Sequence, residues 1–258
     1  MQKRKTGWAC ALASAAVVLS ACGGGGGGSS DAAPANTPVL SAEGAWEGTL
    51  TNSAASNFQL LVLDNGEFWA LYGRPVSGFF AVSGFIQGTG SITGGNLSSS
   101  NAKDFGFNPA VNQTVQATYT TSAIQGTVNT GTSAASFSGA PLPTTNYTYA
   151  RAALLSEIQG AWTLQGTDGS TVNVSIAASG AFTATSAGCA ISGSFTPRPS
   201  GKNVFNVSLT FGGSPCATPG TSASGVAVTY PTTANNRQLI VLGTNAARTA
   251  GVGLFGAR

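Results

Sequence analysis

From about residue 43 onward, apolar and polar side chains alternate with a period of two. Val172, Val174 and Ile176 alternate with Thr171, Asn173 and Ser175, and Val204, Val207, Leu209 and Phe211 interleave with polar residues. Val226 and Val228 lead to Tyr230, and Leu239 to Leu242 form a short apolar run. This period belongs to a half-buried strand with one face inward. Turn signals separate the runs: Asp64-Asn65-Gly66 lies between Phe58–Leu63 and Glu67–Tyr72, and Ser179-Gly180 lies between Thr171–Ala177 and Ala181–Thr185. Thr196 to Lys202 and Pro231 to Asn236 are further breaks. About eight strands at roughly 12-residue spacing are predicted for the second half of the chain. Many short strands joined by turns point to an up-and-down barrel or a sandwich, both of which manage exposed sheet edges. One helical turn is expected around Ala152 to Ile158, with Ser156 and Glu157 on its solvent side. The Gly-Ser-Asn stretches from Gly88 to Lys103, with Phe105-Gly106-Phe107-Asn108-Pro109, read as a large loop.

The same pattern occurs twice. Gly44-Ala45-Trp46-Glu47-Gly48-Thr49 opens one segment and Gly160-Ala161-Trp162-Thr163-Leu164-Gln165-Gly166-Thr167 opens another, each followed by strand, glycine turn and strand. Their ends also look alike, Tyr147 to Arg151 against Leu254 to Arg258. A duplicated unit of about 100 residues is implied, a normal length for a small β-domain. The expectation is an all-β chain with two tandem, antiparallel, barrel-like domains of about eight up-and-down strands. The first spans residues 43–152 and the second 153–258.

Composition narrows the setting. The chain has 258 residues, 36 of them Gly, and only 7% are charged. Such Gly-, Ser- and Thr-rich, weakly charged sequences suit exported β-proteins. Three of the eleven basic residues are Lys3, Arg4 and Lys5, so the remaining eight balance the eight acidic ones. A neutral body removes the electrostatic argument for nucleic acid as a partner.

Lys3, Arg4 and Lys5 precede an apolar run from Ala9 to Leu19, the order of an export signal, and the run is too short for the roughly 20 residues of a bilayer span. Leu19-Ser20-Ala21-Cys22 then resembles the lipobox of bacterial lipoproteins. The resemblance implies that residues 1–21 are a signal peptide and that Cys22 is the mature first residue, carrying diacylglycerol and an amide-linked acyl chain such as palmitate. Several chains anchor a protein stably where one does not. Gly23, rather than Asp, follows the cysteine. By the sorting rule of such lipoproteins this implies the cell outer membrane, on its periplasmic or its outer side. Residues 22–42, with six glycines and Pro34 and Pro38, form a tether whose r.m.s. span is near 25 Å.

Of the four cysteines, Cys10 leaves with the signal and Cys22 is lipidated, so Cys189 and Cys216 remain as a pair in an oxidising compartment. A disulfide would close a loop of about 28 residues. A metal site is the other option, but the chain has no histidine and no acidic residue after Asp168.

A Gly-x-Trp on the first strand with an Arg after the last resembles the lipocalin and wider calycin pattern. There the indole plugs one barrel end and the guanidinium packs across it, adding about 0.5 to 2 kcal/mol. By that resemblance Gly44, Trp46 and Arg151 close the first barrel and Gly160, Trp162 and Arg258 the second, or face a ligand. Both units are shorter than a typical lipocalin, and no second family motif is present.

No catalytic constellation is visible. Without histidine, Ser-His-Asp and Cys-His catalysis and most zinc sites are excluded. Ser100-Asn101-Ala102-Lys103 matches the S-x-x-K of serine acyl enzymes but follows a loop-like stretch, and Asp64 and Glu67 flank a turn. The expected function is therefore non-catalytic, with no cofactor and no metal. It is either an envelope interaction module with a protein partner or a calycin-like carrier of a small apolar ligand. Phe79-Phe80 cannot both face inward on one strand, which makes them a candidate contact surface.

Overall fold

Two of the glycine turns show how the strands form. Gly66 and Gly180 have φ of 79° and 86°, and their amides donate to the carbonyls of Leu63 and Ala177 at 3.0 and 2.9 Å. Positive φ at the turn returns the chain as a hairpin with little steric cost. Each turn sets a register, Val62 opposite Phe68 and Ile176 opposite Phe182, which puts those side chains on one face.

The computed structural model describes residues 40–76, 79–232 and 236–258. Cys22, the expected signal peptide and nearly all of the tether lie outside these residues. The first set of strands is β1 (Gly44–Thr51), β2 (Asn57–Val62), β3 (Glu67–Val76), β4 (Phe79–Thr89), β5 (Ser91–Thr93), β6 (Asn96–Asp104), β7 (Val111–Tyr119), β8 (Ile124–Asn129) and β9 (Ala134–Pro141). The second is β10 (Gly160–Gly166), β11 (Thr171–Ile176), β12 (Ala181–Ser186), β13 (Cys189–Pro197), β14 (Phe205–Phe211), β15 (Ser222–Pro231), β16 (Arg237–Thr244) and β17 (Gly251–Ala257). A 3₁₀ turn, Leu155–Glu157, lies between them.

Both sets close into eight-stranded antiparallel barrels. In the second, β10 to β17 pair in chain order and β17 returns to β10. In the first, β1 pairs with β9, while β4 and the short β5 behave as one interrupted strand, both pairing with β6. Closure removes free edges, the physical problem that the sequence pattern left a barrel or a sandwich to solve.

The expected loop from Gly88 to Lys103 is a strand pair instead. Its inward positions are small or polar: Gly88 lies against the ring of Phe68, and Ser99, Ala102 and Asp104 are buried. A register shift between Ser99 and Ala102 breaks the alternation. Few large apolar residues and a bulge together hide the period of two.

Three apolar clusters hold the structure together. One lines the inside of the first barrel, around Trp46, Phe58, Leu60, Phe68 and Ile86, and one the inside of the second, around Trp162, Leu164, Phe182, Phe195 and Phe205. The third lies between the barrels and joins Trp69, Leu71 and Phe85 of one to Val226, Ile240 and Leu242 of the other. These residues occupy the outer faces of β3, β4, β15 and β16. Those strands are apolar on both faces because both are covered, which explains the continuous run Leu239 to Leu242. Phe80 packs against this joint cluster. The Phe79 side chain lies outside what the structure describes.

Candidate functional site

The interior of the first barrel is the candidate site. Its wall comes from alternate residues of β2, β3, β4, β6, β7, β8 and β9, and many are small: Ala70, Ala117 and Ala135 stand where larger side chains would meet in the middle. The aromatic residues keep to the wall. The Phe58 ring lies beside Gly48 and Gly139 and meets Phe137 edge-on at 5.5 Å. What remains is a cavity of about 390 Å³, within the range of about 300 to 1,000 Å³ of small-molecule sites.

Apolar residues dominate the deep part, among them Leu60, Phe68, Ile86, Leu97 and Val115. Near the mouth the wall turns polar. The Tyr72 hydroxyl donates to Asp104 Oδ1 at 2.6 Å, and the Gly106 amide donates to the same oxygen at 2.8 Å. Burial pushes the Asp104 carboxyl above its ordinary value of 3.8, against the lowering effect of those two bonds. Burial and the neighbouring carboxyl also push the Tyr72 phenol up, so it stays a donor at every physiological pH. Gln113 lines the same wall, 3% exposed, and its Oε1 has no hydrogen-bond partner among the described residues. Gln113 faces Ala102 across the β6–β7 ladder, two residues from Asp104 on the same face. Such diagonal neighbours are about 7 to 8 Å apart. Phe107 stands at the mouth, 58% exposed.

The second barrel carries a row of aromatic rings. Phe182, Phe195 and Phe205 pack in series, with ring centroids 5.0 and 6.4 Å apart, and Phe195 and Phe205 are fully buried. A cavity of about 440 Å³ lies toward its mouth, lined by Leu164, Val172, Val174, Phe182 and Leu209 of the barrel interior and by Cys189, Pro215 and Thr218 at the rim. Cys189 and Cys216 form a disulfide, which ties the segment after β14 to the start of β13 at that rim.

At the opposite ends the two tryptophans occupy equivalent places. Trp46 Nε1 donates to the Ala42 carbonyl at 2.9 Å and Trp162 Nε1 to the Ile158 carbonyl at 2.6 Å, each four residues upstream. Gly44 and Gly160 bring the chain round with φ of 145° and 108°, a region costly for other residues.

The arginines differ. The Arg258 guanidinium lies 4.1 Å from the Trp162 ring centroid. Arg151 instead binds both carboxylate oxygens of Glu157, at 2.8 and 2.7 Å, and Arg237 reaches Glu157 at 3.2 Å. The reason is position: Arg258 directly follows β17, whereas β9 already ends at Pro141, ten residues before Arg151. The similar segment ends in sequence are therefore not equivalent in space. Beside Trp46 lies a small cavity of about 60 Å³, lined also by Leu142, Tyr147 and Tyr230.

Asp64 pairs with Arg198 of the second barrel at 2.5 Å, while Glu67 accepts from Trp69 Nε1 and Gln87 Nε2. Each is engaged separately as a structural contact. Ser100 to Lys103 lie in strand β6, without the helical turn that an S-x-x-K pair needs.

Sequence reasoning did not single out Asp104 or Gln113, and it placed Tyr72 only as the end of a strand. Gln113 carried a signal: it is in phase with Val115, Ala117 and Tyr119, hence an inward polar residue. Asp104 was hidden in the presumed loop.

No protein-family model matches the chain, and no curated protein matches it. Among solved structures, Aeromonas veronii immune modulator A is similar with a TM-score of 0.36 and 13% identity, over 84% of this chain and 96% of that one. A protein of unknown function of the DUF3598 family from Nostoc punctiforme is similar with a TM-score of 0.26 and 12% identity, over 84% and 94%. Likenesses at this level carry no argument about what the chain binds.

Proposed function

We propose that this chain is a non-catalytic binding protein of the bacterial envelope, held at the outer membrane by a lipidated Cys22, whose first barrel takes up a small apolar molecule. The observation that supports the uptake is the cavity of about 390 Å³, with an apolar depth and a polar group near one open end. Apolar burial in a preformed cavity supplies affinity and a few placed polar groups supply orientation. The second barrel covers the outer face of β3 and β4. An interaction module that works through Phe79 and Phe80 has less support, because Phe80 packs against the joint cluster.

Native mass spectrometry of the exported Cys22→Ser protein, purified without detergent, tests the uptake. A reproducible adduct lost on denaturation, and absent from Ala70→Trp, is the expected result. A bare mass, together with failure to bind a neutral apolar dye, would remove the carrier reading. Labelling of cells with an alkyne fatty acid, followed by membrane fractionation, tests the anchor. Wild type should carry label in the outer membrane and Cys22→Ser should carry none; equal labelling of the two would defeat the anchor.

A further inference from the structure

We infer that the second barrel is a ligand site in its own right. It takes a small, neutral, apolar molecule that needs no polar partner in its depth, and the disulfide-tied loop between β14 and β15 forms part of its mouth. This site is separate from the uptake proposed for the first barrel and does not rest on it.

Three observations carry it. First, the space follows from the sizes of the inward residues. Along β10 they shrink from Trp162 through Leu164 to Gly166, and along β12 from Phe182 through Ala184 to Ser186. The large rings therefore gather at the Trp162 end, where Phe182 and Phe195 meet with centroids 5.0 Å apart. Toward the other end the barrel keeps its cavity of about 440 Å³, within the range of small-molecule sites.

Second, the wall is apolar in its depth and polar only at its rim. Leu164, Val172, Val174, Leu209 and Val241 form the depth. Asp168 is the only ionisable residue among the described residues that line the cavity. It is exposed in the turn between β10 and β11, where Oδ1 accepts from the Ser170 amide at 3.0 Å and the Ser170 hydroxyl at 2.6 Å. Ser186 donates its hydroxyl to the Thr171 carbonyl at 3.0 Å. No lining residue is among the described residues with an unpartnered buried polar atom. An ordered water needs about two to four polar partners, which these inward side chains do not supply, whereas an apolar molecule gains from every contact with them. The first barrel differs in carrying Tyr72, Asp104 and Gln113 on its wall.

Third, the loop of residues 212–221 completes the mouth and is tied there through its middle. Pro215, Ala217 and Thr218 line the cavity together with Cys189. Cys216 is 5% exposed between exposed neighbours, because it is bonded to Cys189. The backbone bonds that fix the loop to strand residues lie at its base, from the Gly212 amide to the Ala190 carbonyl at 2.7 Å and from the Gly220 amide to the Phe211 carbonyl at 3.0 Å. The disulfide is thus the covalent tie that holds Pro215 and Ala217 against the cavity.

The test titrates N-phenyl-1-naphthylamine, a neutral fluorescent dye, into the exported Cys22→Ser protein and reads stoichiometry and affinity. Two dyes per chain are expected in this parent, one in Ala70→Trp, which occupies the first cavity, and one in Ala184→Trp, which occupies the second. Each methylene buried against a wall is worth about fourfold in affinity. Replacing Cys189 and Cys216 by Ala should therefore weaken one of the two sites by about tenfold as the loop's contacts are lost, and the unchanged first site reports that the protein is still folded. In Ala70→Trp, octan-1-ol can leave its hydroxyl at the mouth, whereas octane-1,8-diol must carry one hydroxyl into a wall without partners. The diol should need a concentration at least about tenfold higher to displace the dye.

If the parent binds one dye and Ala70→Trp binds none, the second site is overturned while the carrier reading of the first barrel stands. If Ala70→Trp keeps the dye and Ala184→Trp loses it, the second site stands and the first-barrel reading fails. Dye affinities unchanged by the cysteine replacements would overturn the part given to the loop, and equal displacement by alcohol and diol would overturn the apolar depth. No dye in any of the proteins would defeat both sites. The parent stoichiometry and the cysteine variant decide the matter even should Ala184→Trp fold poorly.

Discussion

Replacing Tyr72 by Phe removes one hydroxyl from the wall of the first barrel and leaves the ring in place. The hydroxyl donates to Asp104 at 2.6 Å. Asp104 is 7% exposed, so water does not freely replace the lost donor. A hydrogen bond to a charged group contributes about 1.5 to 3 kcal/mol, and one to a neutral group about 0.5 to 1.5 kcal/mol. The cost of Tyr72→Phe should therefore depend on whether Asp104 is ionised. Burial raises the Asp104 carboxyl above its ordinary 3.8. Its contribution to stability is thus complete below that value and is lost as pH rises through the folded-state value. Tyr72→Phe withdraws a bond that favours the ionised form, which raises the carboxyl further and deepens the loss on the alkaline side of the window. The expected cost is about 2 kcal/mol at pH 7.5, or roughly 4 to 8 °C in Tm for a chain of this size, falling to about 1 kcal/mol at pH 4. Urea titrations followed by tryptophan fluorescence at both pH values, completed as a double-mutant cycle with Asp104→Asn, read the difference. Equal costs at the two pH values, or additivity in the cycle, would refute the pairing.

Three further outcomes follow from the same geometry. Arg258→Ala should cost about 0.5 to 2 kcal/mol through the lost cation–π contact with Trp162 and alter the fluorescence of that indole, whereas Arg151→Ala should leave Trp46 fluorescence unchanged, because Arg151 serves Glu157. Replacing Cys189 and Cys216 with Ala should lower stability by about 3 kcal/mol on the chain-entropy account; a urea midpoint that responds equally to reductant in wild type and in the double variant would contradict it. Trp69→Ala removes a buried indole from the cluster between the barrels and should cost about 3 to 5 kcal/mol. Differential scanning calorimetry should then resolve two transitions instead of one, and a single unbroken transition would show that the barrels are coupled by other contacts.

What the sequence determined by itself is local. Alternation with a period of two, glycines at positive φ in Asp64-Asn65-Gly66 and Ser179-Gly180, and the repeated Gly-x-Trp each act within a few residues, so strands, hairpins and the duplication are legible without knowledge of the rest. The pairing of Cys189 with Cys216 was legible on the expectation that Cys10 leaves with a signal peptide and Cys22 is lipidated, and the disulfide is present. Tertiary structure decided whatever depends on several strands at once. Barrel closure is one such decision, since an alternating strand suits a sandwich equally well. The strand character of Gly88 to Lys103 is another, because small inward residues read as loop until the ring of Phe68 is seen against Gly88. The place of Arg151 is a third, set by the end of β9 at Pro141 and not by its distance from Trp46 along the chain. The cavity is the clearest: its volume is what eight strands leave unfilled, a sum over Ala70, Ala117, Ala135 and their neighbours. Asp104 and Gln113 acquire their chemistry only from the low-dielectric wall in which that closure places them.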